Sequence, residues 1–314
     1  MTPEVSVLMP VRNGAAFLTA AVESILHQDF TEFELIIVDD GSTDATPMLL
    51  ADFAARDKRL VLLQQPALGL VAALNRGLAA ARAPLVARMD ADDVAMKQRL
   101  GLQLAFLAAN PEIALVGSAM EVIDAQGRPL RNMNLPTTPQ EIRKILPVRN
   151  CIAHPTVMFR RAAVAGVGGY RAQFAQAEDY ELWLRLSERH ALAALPAPLL
   201  QYRQHLHQIT WLSHEQRILS ELTASAAAEV RGAGRADPAA AIACADKSAL
   251  RICGWSEAQI ALAIATKAVD TARAARQAKQ KKTARAAMNL ALRQPPLRLR
   301  PRLRCLLEWL LSWG

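Results

Sequence analysis

The sequence predicts an α/β fold: a mostly parallel sheet flanked by helices, with a helical C-terminal extension. Four short runs of apolar and β-branched residues alternate with segments of helical periodicity over the first ninety residues. From Ser213 onward, alanine, leucine and charged residues dominate, and the pattern is helical apart from breaks at 232–238 and 295–301. A chain of 314 residues, 52% of them apolar, can bury a sizeable core, so a folded globular protein is expected.

The N-terminal elements alternate regularly. The predicted strands are VSVLMPV (5–11), FELIIVDD (33–40), RLVLLQQ (59–65) and PLVARM (84–89), and the predicted helices between them cover 14–28, 42–57 and 69–82. This alternation gives parallel strands, and ligands of such sheets bind beyond the carboxyl ends. The polar residues that follow three of the strands are therefore expected to meet at one edge: Pro10–Asn13, Asp39–Asp40 and Asp90–Asp93.

The chain after residue 95 is less regular. The pattern predicts helices over 98–111, near 139–146 and over 178–189, and strands over 113–124 and 155–161. We therefore expect one domain over 1–210, with a first half over 1–95 and a second over 96–210, followed by a helical region over 211–314.

Charge and cysteine content narrow the class of protein. The net charge is +8, but residues 271–305 hold eleven Lys and Arg and no Asp or Glu, which leaves 26 basic and 29 acidic residues elsewhere. A basic tail on a mildly acidic body suggests an anionic surface, either membrane or nucleic acid, and no nucleic-acid-binding module is recognised. The N-terminus lacks a secretory signal pattern, and no uncharged apolar run could span a membrane. The four cysteines form no CxxC pair, which favours a cytoplasmic protein with free thiols.

An acidic cluster follows the fourth predicted strand. In LVARMDADDVA, three carboxylates occupy Asp90, Asp92 and Asp93. Ionised groups this close repel one another, and near a core each costs several kcal/mol, roughly, unless a cation answers it. A divalent cation is the expected partner, because hard cations take carboxylate oxygens.

Five segments, in order, carry a family resemblance: VLMPVRNGAAFLTAAVESILHQ, FELIIVDDGSTDAT, GLVAALNRGLAAA, VARMDADD and AEDYELWLRL. Together they resemble the family 2 glycosyltransferases, which transfer sugars from nucleotide-sugar donors on the Rossmann-like GT-A fold. The resemblance covers roughly residues 4–210, about two thirds of the chain. It implies a divalent cation, Mg²⁺ or Mn²⁺, as cofactor.

The resemblance assigns roles to the first two acidic groups. Asp92 would ligate the metal and Asp90 would lie toward the ribose or the metal, while Asp93 either supports the ligands or caps the next helix. Asp39 and Asp40 would bind the ribose and base, with Asp40 on the base.

The residues after the first strand also belong to the implied nucleotide site. Pro10 and Val11 would line the base pocket. Asn13 would lie in the same corner, and its side chain is also suited to cap the following helix. The family often has an aromatic residue where Arg12 stands.

The pair Glu178–Asp179 begins the predicted helix over 178–189. By resemblance Asp179 is the general base that activates the acceptor hydroxyl, Glu178 orients it, and the anomeric centre is inverted. Acidic residues are also favoured in a helix's first turn by the macrodipole, which is the ordinary explanation.

Four further residues are candidates for acceptor, phosphate or metal contacts. His154 stands in a His-Pro pair, and His205 matches a Tyr-Arg-x-His motif and would reach the metal or diphosphate. Arg203 is a candidate for a phosphate contact. Trp183 is expected in the core, with stacking on an acceptor sugar as the alternative.

The tail and the overall function complete the expectations. Basic residues precede Leu306, Leu307, Trp309, Leu310, Leu311 and Trp313, a pattern that suits an anionic inner membrane face.

We expect an inverting, metal-dependent hexosyl- or N-acetylhexosaminyltransferase that uses a nucleotide-sugar, a UDP-sugar by preference, on a glycan or lipid-linked acceptor of the cell surface. The alternatives are a sugar-phosphate nucleotidyltransferase, which would need a Gly-rich phosphate loop that PVRNGAAF does not provide, and a non-catalytic nucleotide-sugar-binding adaptor.

Overall fold

A computed structural model describes residues 2–205, 214–277 and 280–294. Its strands are β1 (Val5–Val11), β2 (Phe33–Asp40), β3 (Leu60–Gln65), β4 (Leu85–Arg88), β5 (Val94–Ala95), β6 (Ile113–Ile123), β7 (Pro129–Met133), β8 (Met158–Arg160) and β9 (Ala191–Arg203). Its helices are α1 (Leu18–Leu26), α2 (Thr46–Arg56), α3 (Leu70–Ala80), α4 (Arg99–Ala109), α5 (Pro139–Ile145), α6 (Arg161–Gly166), α7 (Glu178–Ser187), α8 (His214–Gly232), α9 (Lys247–Ile252), α10 (Glu257–Gln277) and α11 (Lys281–Arg293).

The described strands form one mixed sheet in the order β3-β2-β1-β4-β8-β6-β9-β5, with β7 paired to β6. β1 pairs in parallel with β2 and β4, and β2 pairs in parallel with β3. The predicted parallel alternation of the first ninety residues is therefore confirmed. Beyond β4 the sheet changes character, because β8 runs antiparallel to both β4 and β6.

The core lies on both faces of the parallel part. All residues of β1 and β2 are buried, which explains why both read as nearly continuous apolar runs. Val7 and Met9 belong to a cluster with Val22 of α1, while Leu8, between them in sequence, points to the opposite face, where α3 packs on β1 and β2.

Two predicted helices begin later than expected. α1 begins at Leu18 rather than near residue 14, and α2 begins at Thr46 rather than near residue 42. The residues in front of each helix make hydrogen bonds to the other loop, and in front of α1 the Phe17 and Leu18 N–H groups also donate to Gly14 O at 3.0 and 2.9 Å.

The long strand β9 was not predicted. Its sequence, ALAALPAPLLQYR, contains two prolines, which remove backbone donors and indicate a loop. The structure accommodates them because the register with β6 shifts between Ser118 and Ala119, where the partners change from Leu195 to Pro198. The strand predicted over 155–161 is also shorter, since a 3₁₀ turn occupies His154–Thr156 before β8.

The chain divides into two compact units. The first consists of residues 2–171 and 182–205 and contains the sheet. The second contains residues 172–181 and the described residues from 214 onward, and the domain over 1–210 stays a prediction.

The second unit is helical, as predicted. α10 and α11 pack against each other and against α8. The segment 172–181 is tied into this unit: Ala245 N–H donates to Gln173 O at 2.9 Å, and Ser220 Oγ donates to Ala175 O at 2.7 Å. Among the described residues, no helix combines the length and apolar character that crossing a bilayer requires.

The packing of α3 on β1 gives a stability prediction. A Cβ on Gly77 would overlap the buried Leu8 Cδ1 and lie 3.3 Å from Val38 Cγ2. Gly77→Ala should therefore destabilise the protein by about 1–3 kcal/mol, the usual cost of overpacking.

Gly101→Ala is the matched control, because its Cβ would meet only Phe30 Cβ at 3.9 Å. It should stabilise the helix by about 0.5–1 kcal/mol. Urea unfolding of both variants checks the two signs, and a neutral Gly77→Ala would contradict this account of the interface.

Candidate active site

The three polar clusters that follow β1, β2 and β4 lie at one edge of the sheet. The order β2-β1-β4 places the carboxyl ends of these strands side by side. Met89 N–H donates to Leu8 O at 3.0 Å, so the segment that leads into the acidic cluster stays paired beside β1. The predicted convergence of the three loops is confirmed.

The loops after β1 and β2 bind each other. The first loop is residues 12–17 and the second is residues 41–45. Asn13 N–H donates to Ser42 Oγ at 2.9 Å, and Asn13 Oδ1 accepts from Thr43 N–H at 2.8 Å. The backbone of Asn13 has φ of 52°, a conformation that Asn tolerates better than most residues. The prediction that Asn13 caps α1 is therefore wrong, because its side chain is used on the second loop.

Two more bonds complete this connection between the loops. Gly14 N–H donates to Thr46 Oγ1 at 2.9 Å, and Ala15 N–H donates to Asp44 Oδ2 at 3.2 Å. These side chains thus hold the backbone of the loop that follows Pro10 and Val11. Both of these predicted base-pocket residues are buried at the end of β1.

Asp40 fixes the loop between β3 and α3. Its Oδ1 accepts from Gln65 Nε2 at 2.7 Å and from Leu68 N–H at 2.8 Å, and its Oδ2 accepts from Gly69 N–H at 2.9 Å. A carboxylate oxygen can accept two hydrogen bonds, so Oδ2 keeps room for a base N–H. The assignment of Asp40 to the base stays a prediction.

Asp39 and Gly41 shape the turn beside Asp40. Asp39 is 3% exposed, and its Oδ1 accepts from Ser42 N–H at 3.0 Å. Gly41 has φ of 70°, and a Cβ there would lie 2.7 Å from Ala67 N, so only glycine fits.

The acidic cluster offers oxygen ligands at close range. Asp90, Asp92 and Asp93 each present a carboxylate oxygen, and these atoms lie within 4.8 Å of one another. Asp93 is fully buried, whereas the side chains of Asp90 and Asp92 are 31% and 30% exposed. Within the described residues, Oδ2 of Asp93 is buried without a hydrogen-bond partner. These hard oxygen donors fit a divalent cation such as Mg²⁺ or Mn²⁺.

The pKa values of these carboxyl groups also suit a cation site. Burial raises the pKa of Asp93 well above its usual range, and repulsion from Asp92 and Asp90 adds to this effect. Burial also raises the pKa of Asp90, although the Arg88 guanidinium opposes the shift. A bound divalent cation would reverse this balance by favouring the ionised forms.

Two buried guanidinium groups support the cluster, and the sequence analysis missed both. Arg88 Nη1 pairs with Asp90 Oδ2 at 2.5 Å. Arg99 is fully buried, and its Nη2 donates to Arg88 O at 2.7 Å. Burial lowers the pKa of Arg99 to about 9. Arg88 could have been noticed as a charge inside an apolar strand, whereas Arg99 reads as an ordinary residue of the first helical turn.

His205 reaches the cluster from the end of β9. Its Nε2 lies 2.9 Å from Asp92 Oδ2, and its ring lies 4.9 Å from the Phe17 ring. The structure thus brings His205 to the carboxylate that is predicted to bind metal. Phe17, at the end of the first loop, was not singled out in the sequence.

Arg203 is directed at backbone carbonyls. It is 6% exposed, and its Nε donates to Asp92 O at 2.8 Å. This contact differs from the phosphate contact expected from the sequence.

His154 and Trp183 lie in the core. His154 Nε2 lies 2.8 Å from Tyr170 Oη, and burial together with Arg88 lowers the pKa of His154 well below its ordinary value. Trp183 has no exposed surface and meets the His154 ring edge-on at 5.7 Å. The alternative in which Trp183 stacks on a sugar is therefore wrong.

Glu178 and Asp179 occupy the first turn of α7, in the second unit. Glu178 is 6% exposed, and Asp179 Oδ1 accepts from Tyr180 N–H at 2.7 Å. Negative charge is stabilised at this end of a helix by the macrodipole, which by itself accounts for two acidic residues here. The role of Asp179 as a base stays a prediction.

Known proteins are similar to this chain in sequence and in fold. A family model described as "Glycosyl transferase family 2" matches residues 6–168. The O-antigen biosynthesis glycosyltransferase WbnJ from Escherichia coli is 33% identical over 183 residues, which cover 58% of this chain and 71% of WbnJ.

Two solved structures show the same fold at low sequence identity. S. aureus TarS in complex with UDP-GlcNAc matches with a TM-score of 0.61 and 18% identity over 90% of each chain. The mannosyltransferase PcManGT from Pyrobaculum calidifontis, in complex with GDP-Man and Mn²⁺, matches with a TM-score of 0.58 and 20% identity over 99% of this chain and 81% of its own. The GT-A fold predicted from the resemblance is confirmed.

The cluster gives a metal-binding prediction. Asp92→Ala removes one of the two accessible carboxylates and the partner of His205, so the affinity for Mn²⁺ should fall at least tenfold. Electron paramagnetic resonance of free Mn²⁺ during a titration measures this affinity. Asp52→Ala, at an exposed acidic residue of α2, is the matched control and should bind Mn²⁺ like the wild type. Equal affinities for all three proteins would rule out Asp92 as a ligand.

Proposed function

Because this chain belongs to glycosyltransferase family 2, we propose that it transfers a hexosyl or N-acetylhexosaminyl group from a UDP-sugar to an acceptor hydroxyl. The acceptor is a glycan or a lipid-linked glycan of the cell surface. The reaction inverts the anomeric centre and depends on Mg²⁺ or Mn²⁺.

One observation carries this proposal. The loops after three neighbouring parallel strands meet at one edge of the sheet, and one of them presents three carboxylates whose oxygens lie within 4.8 Å of one another. Ligands of parallel sheets bind beyond the carboxyl ends of the strands, and clustered carboxylates suit the cation that accompanies a diphosphate.

The donor is proposed from the residues of this edge and from the relatives. Asp39 and Asp40 bind the ribose and base, and Pro10 and Val11 line the base. UDP is preferred because TarS binds UDP-GlcNAc and UDP, whereas PcManGT, with GDP-Man, is the reason to include GDP-sugars in any screen.

Asp92 would hold the cation, together with Asp90 and His205. When bound, the cation neutralises the negative charge that develops on the departing diphosphate. Arg88 balances part of the charge of Asp90, whereas the partner of Asp92 is His205, itself a proposed ligand of the cation.

Asp179 is proposed as the general base. The acceptor hydroxyl gives its proton to the Asp179 carboxylate while its oxygen attacks the anomeric carbon. The bond from that carbon to the diphosphate oxygen breaks with its electron pair, and the nucleoside diphosphate leaves with one more negative charge. Attack opposite the leaving group inverts the anomeric centre.

Transfer from labelled donors tests the proposed function. Radiolabelled UDP-GlcNAc, UDP-glucose and GDP-mannose are incubated with the protein, with and without Mn²⁺. Metal-dependent release of the nucleoside diphosphate is expected with one UDP-sugar. Donor binding without metal, and without hydrolysis or transfer, would instead favour the non-catalytic adaptor.

The base assignment gives a prediction of its own. Asp179→Asn keeps the shape of the side chain but cannot take the proton, so kcat should fall by about 10²- to 10⁴-fold. The affinity for UDP should stay within twofold. Asp29→Asn, at an exposed acidic residue of the first unit, is the control and should retain full turnover. Wild-type turnover in Asp179→Asn would show that this residue is not the base.

We extend the proposal to location: the enzyme works at the inner face of the plasma membrane, held there peripherally by its C-terminal tail. Residues 295–314, which carry the leucines and tryptophans of the predicted amphipathic segment, lie outside the described residues. Directly before them, α11 exposes Lys282, Arg285 and Arg293 and buries Ala287 and Met288 on its other face. Exposed cations of this kind are attracted to anionic lipid headgroups.

Truncation after Gln294 tests this location. The truncated chain loses four arginines and the apolar segment, so sedimentation with anionic phosphatidylglycerol vesicles should fall at least tenfold. Neutral phosphatidylcholine vesicles provide the control. An unchanged bound fraction would remove the membrane from the proposal without affecting the transfer reaction.

A further inference from the structure

Arg203 ends β9 at the point where three chain segments meet. β9 pairs in parallel with β6, where Arg203 lies opposite Ile123, and in antiparallel with β5, where Gln201 lies opposite Val94. The acidic loop (residues 89–93) therefore lies on one side of Arg203, and the turn after β6 (residues 124–128) lies on the other.

Arg203 holds the acidic loop at two points. Its backbone N–H donates to Asp93 Oδ1 at 2.8 Å, and its Nε donates to Asp92 O at 2.8 Å. The first bond fixes a buried carboxyl group. The second fixes the peptide that carries the predicted metal ligand.

The same guanidinium holds the turn after β6. Its Nη1 lies 3.3 Å from both Asp124 O and Ala125 O. This turn is itself rigid, because Asp124 Oδ1 accepts from Gln126 N–H and Arg128 N–H at 2.9 Å each. Arg203 thus connects the acidic loop with the turn between β6 and β7.

Phe17 connects this anchor with His205. The Arg203 Cζ lies 4.9 Å from the Phe17 ring centroid, and the His205 ring lies 4.9 Å from the same ring. His205 Nε2 in turn meets Asp92 Oδ2 at 2.9 Å. Asp92 is therefore fixed through its backbone by Arg203 and through its side chain by His205, and both of these residues pack on one aromatic ring.

We propose that Arg203 is a positioning residue for the metal site: it holds Asp92 and His205 so that both can bind one cation, and it does not bind the diphosphate itself. This inference rests on the proposed function, since it concerns the cation of that site. Its physical basis is the planar fork of the guanidinium, which reaches two backbone segments at once. A lysine keeps the charge but offers one compact ammonium group.

The experiment separates a metal effect from a phosphate contact. Inorganic pyrophosphate is titrated by calorimetry into the full chain, alone and as its Mn²⁺ complex, for the wild type, Arg203→Lys and Arg128→Lys. The matched control makes the same exchange at an exposed arginine of the turn after β6, which pairs with Asp124 and not with the acidic loop.

The expected result is specific to Arg203. Arg203→Lys should bind free pyrophosphate within twofold of the wild type, whereas its affinity for the Mn²⁺ complex should fall at least tenfold. Arg128→Lys should behave like the wild type in both titrations. A second variant, Phe17→Leu, removes the shared ring without changing any charge, and it should also lower only the affinity for the Mn²⁺ complex.

Two results would overturn the inference. A loss of affinity for free pyrophosphate in Arg203→Lys would show a direct phosphate contact. Unchanged affinities in Arg203→Lys, with an unchanged unfolding temperature, would show that the side chain has no influence on the metal site. Failure of the proposed function is distinguishable, because in that case the wild type itself would gain nothing from Mn²⁺.

Discussion

The edge of the sheet is organised around the repulsion among three carboxylates. Asp90, Asp92 and Asp93 lie close enough to oppose one another's ionisation. Two guanidinium groups from different elements offset part of this negative charge. Arg88 comes from β4 itself and Arg99 from the helix that follows. These guanidinium groups are buried and belong to the chain, so they are a permanent part of the loop's support. The carboxylates of Asp90 and Asp92 stay partly exposed, which suits the divalent cation proposed for this site.

The first half of the sheet could be predicted because local pattern and final structure agree there. β1 and β2 are buried on both faces, so their sequences are continuous apolar runs with helical periodicity between them. The second half could not be predicted as well. β9 contains Pro196 and Pro198, and only its pairing with the shifted register of β6 makes it a strand. The starts of α1 and α2 were missed for a related reason, since the residues in front of each helix are held by hydrogen bonds to a loop that is distant in sequence.

Residues of the candidate site that belong to a sequence motif were predicted, whereas residues that reach the site only through the fold were missed. The acidic residues stood out because charge after an apolar strand is costly. Phe17 and Arg99 carry no such mark, because an aromatic residue before a helix and an arginine in a first turn are ordinary. Arg203 was noticed for its charge, but the sequence could not show that its donors would be used on the carbonyls of Asp92 and of a turn after another strand.

Residues 172–181 belong to the same compact unit as the C-terminal helices, although they lie between two parts of the sheet-containing unit in sequence. This stretch, which ends in the first helical turn with Glu178 and Asp179, belongs to the helical unit, where Ser220 Oγ donates to Ala175 O and Ala245 N–H donates to Gln173 O. The C-terminal helices therefore share one compact unit with residues 172–181. A fragment cut after the last strand would keep every residue of the motifs but would lose the groups that bond Gln173 and Ala175. Fusion partners and affinity tags therefore belong outside these helices.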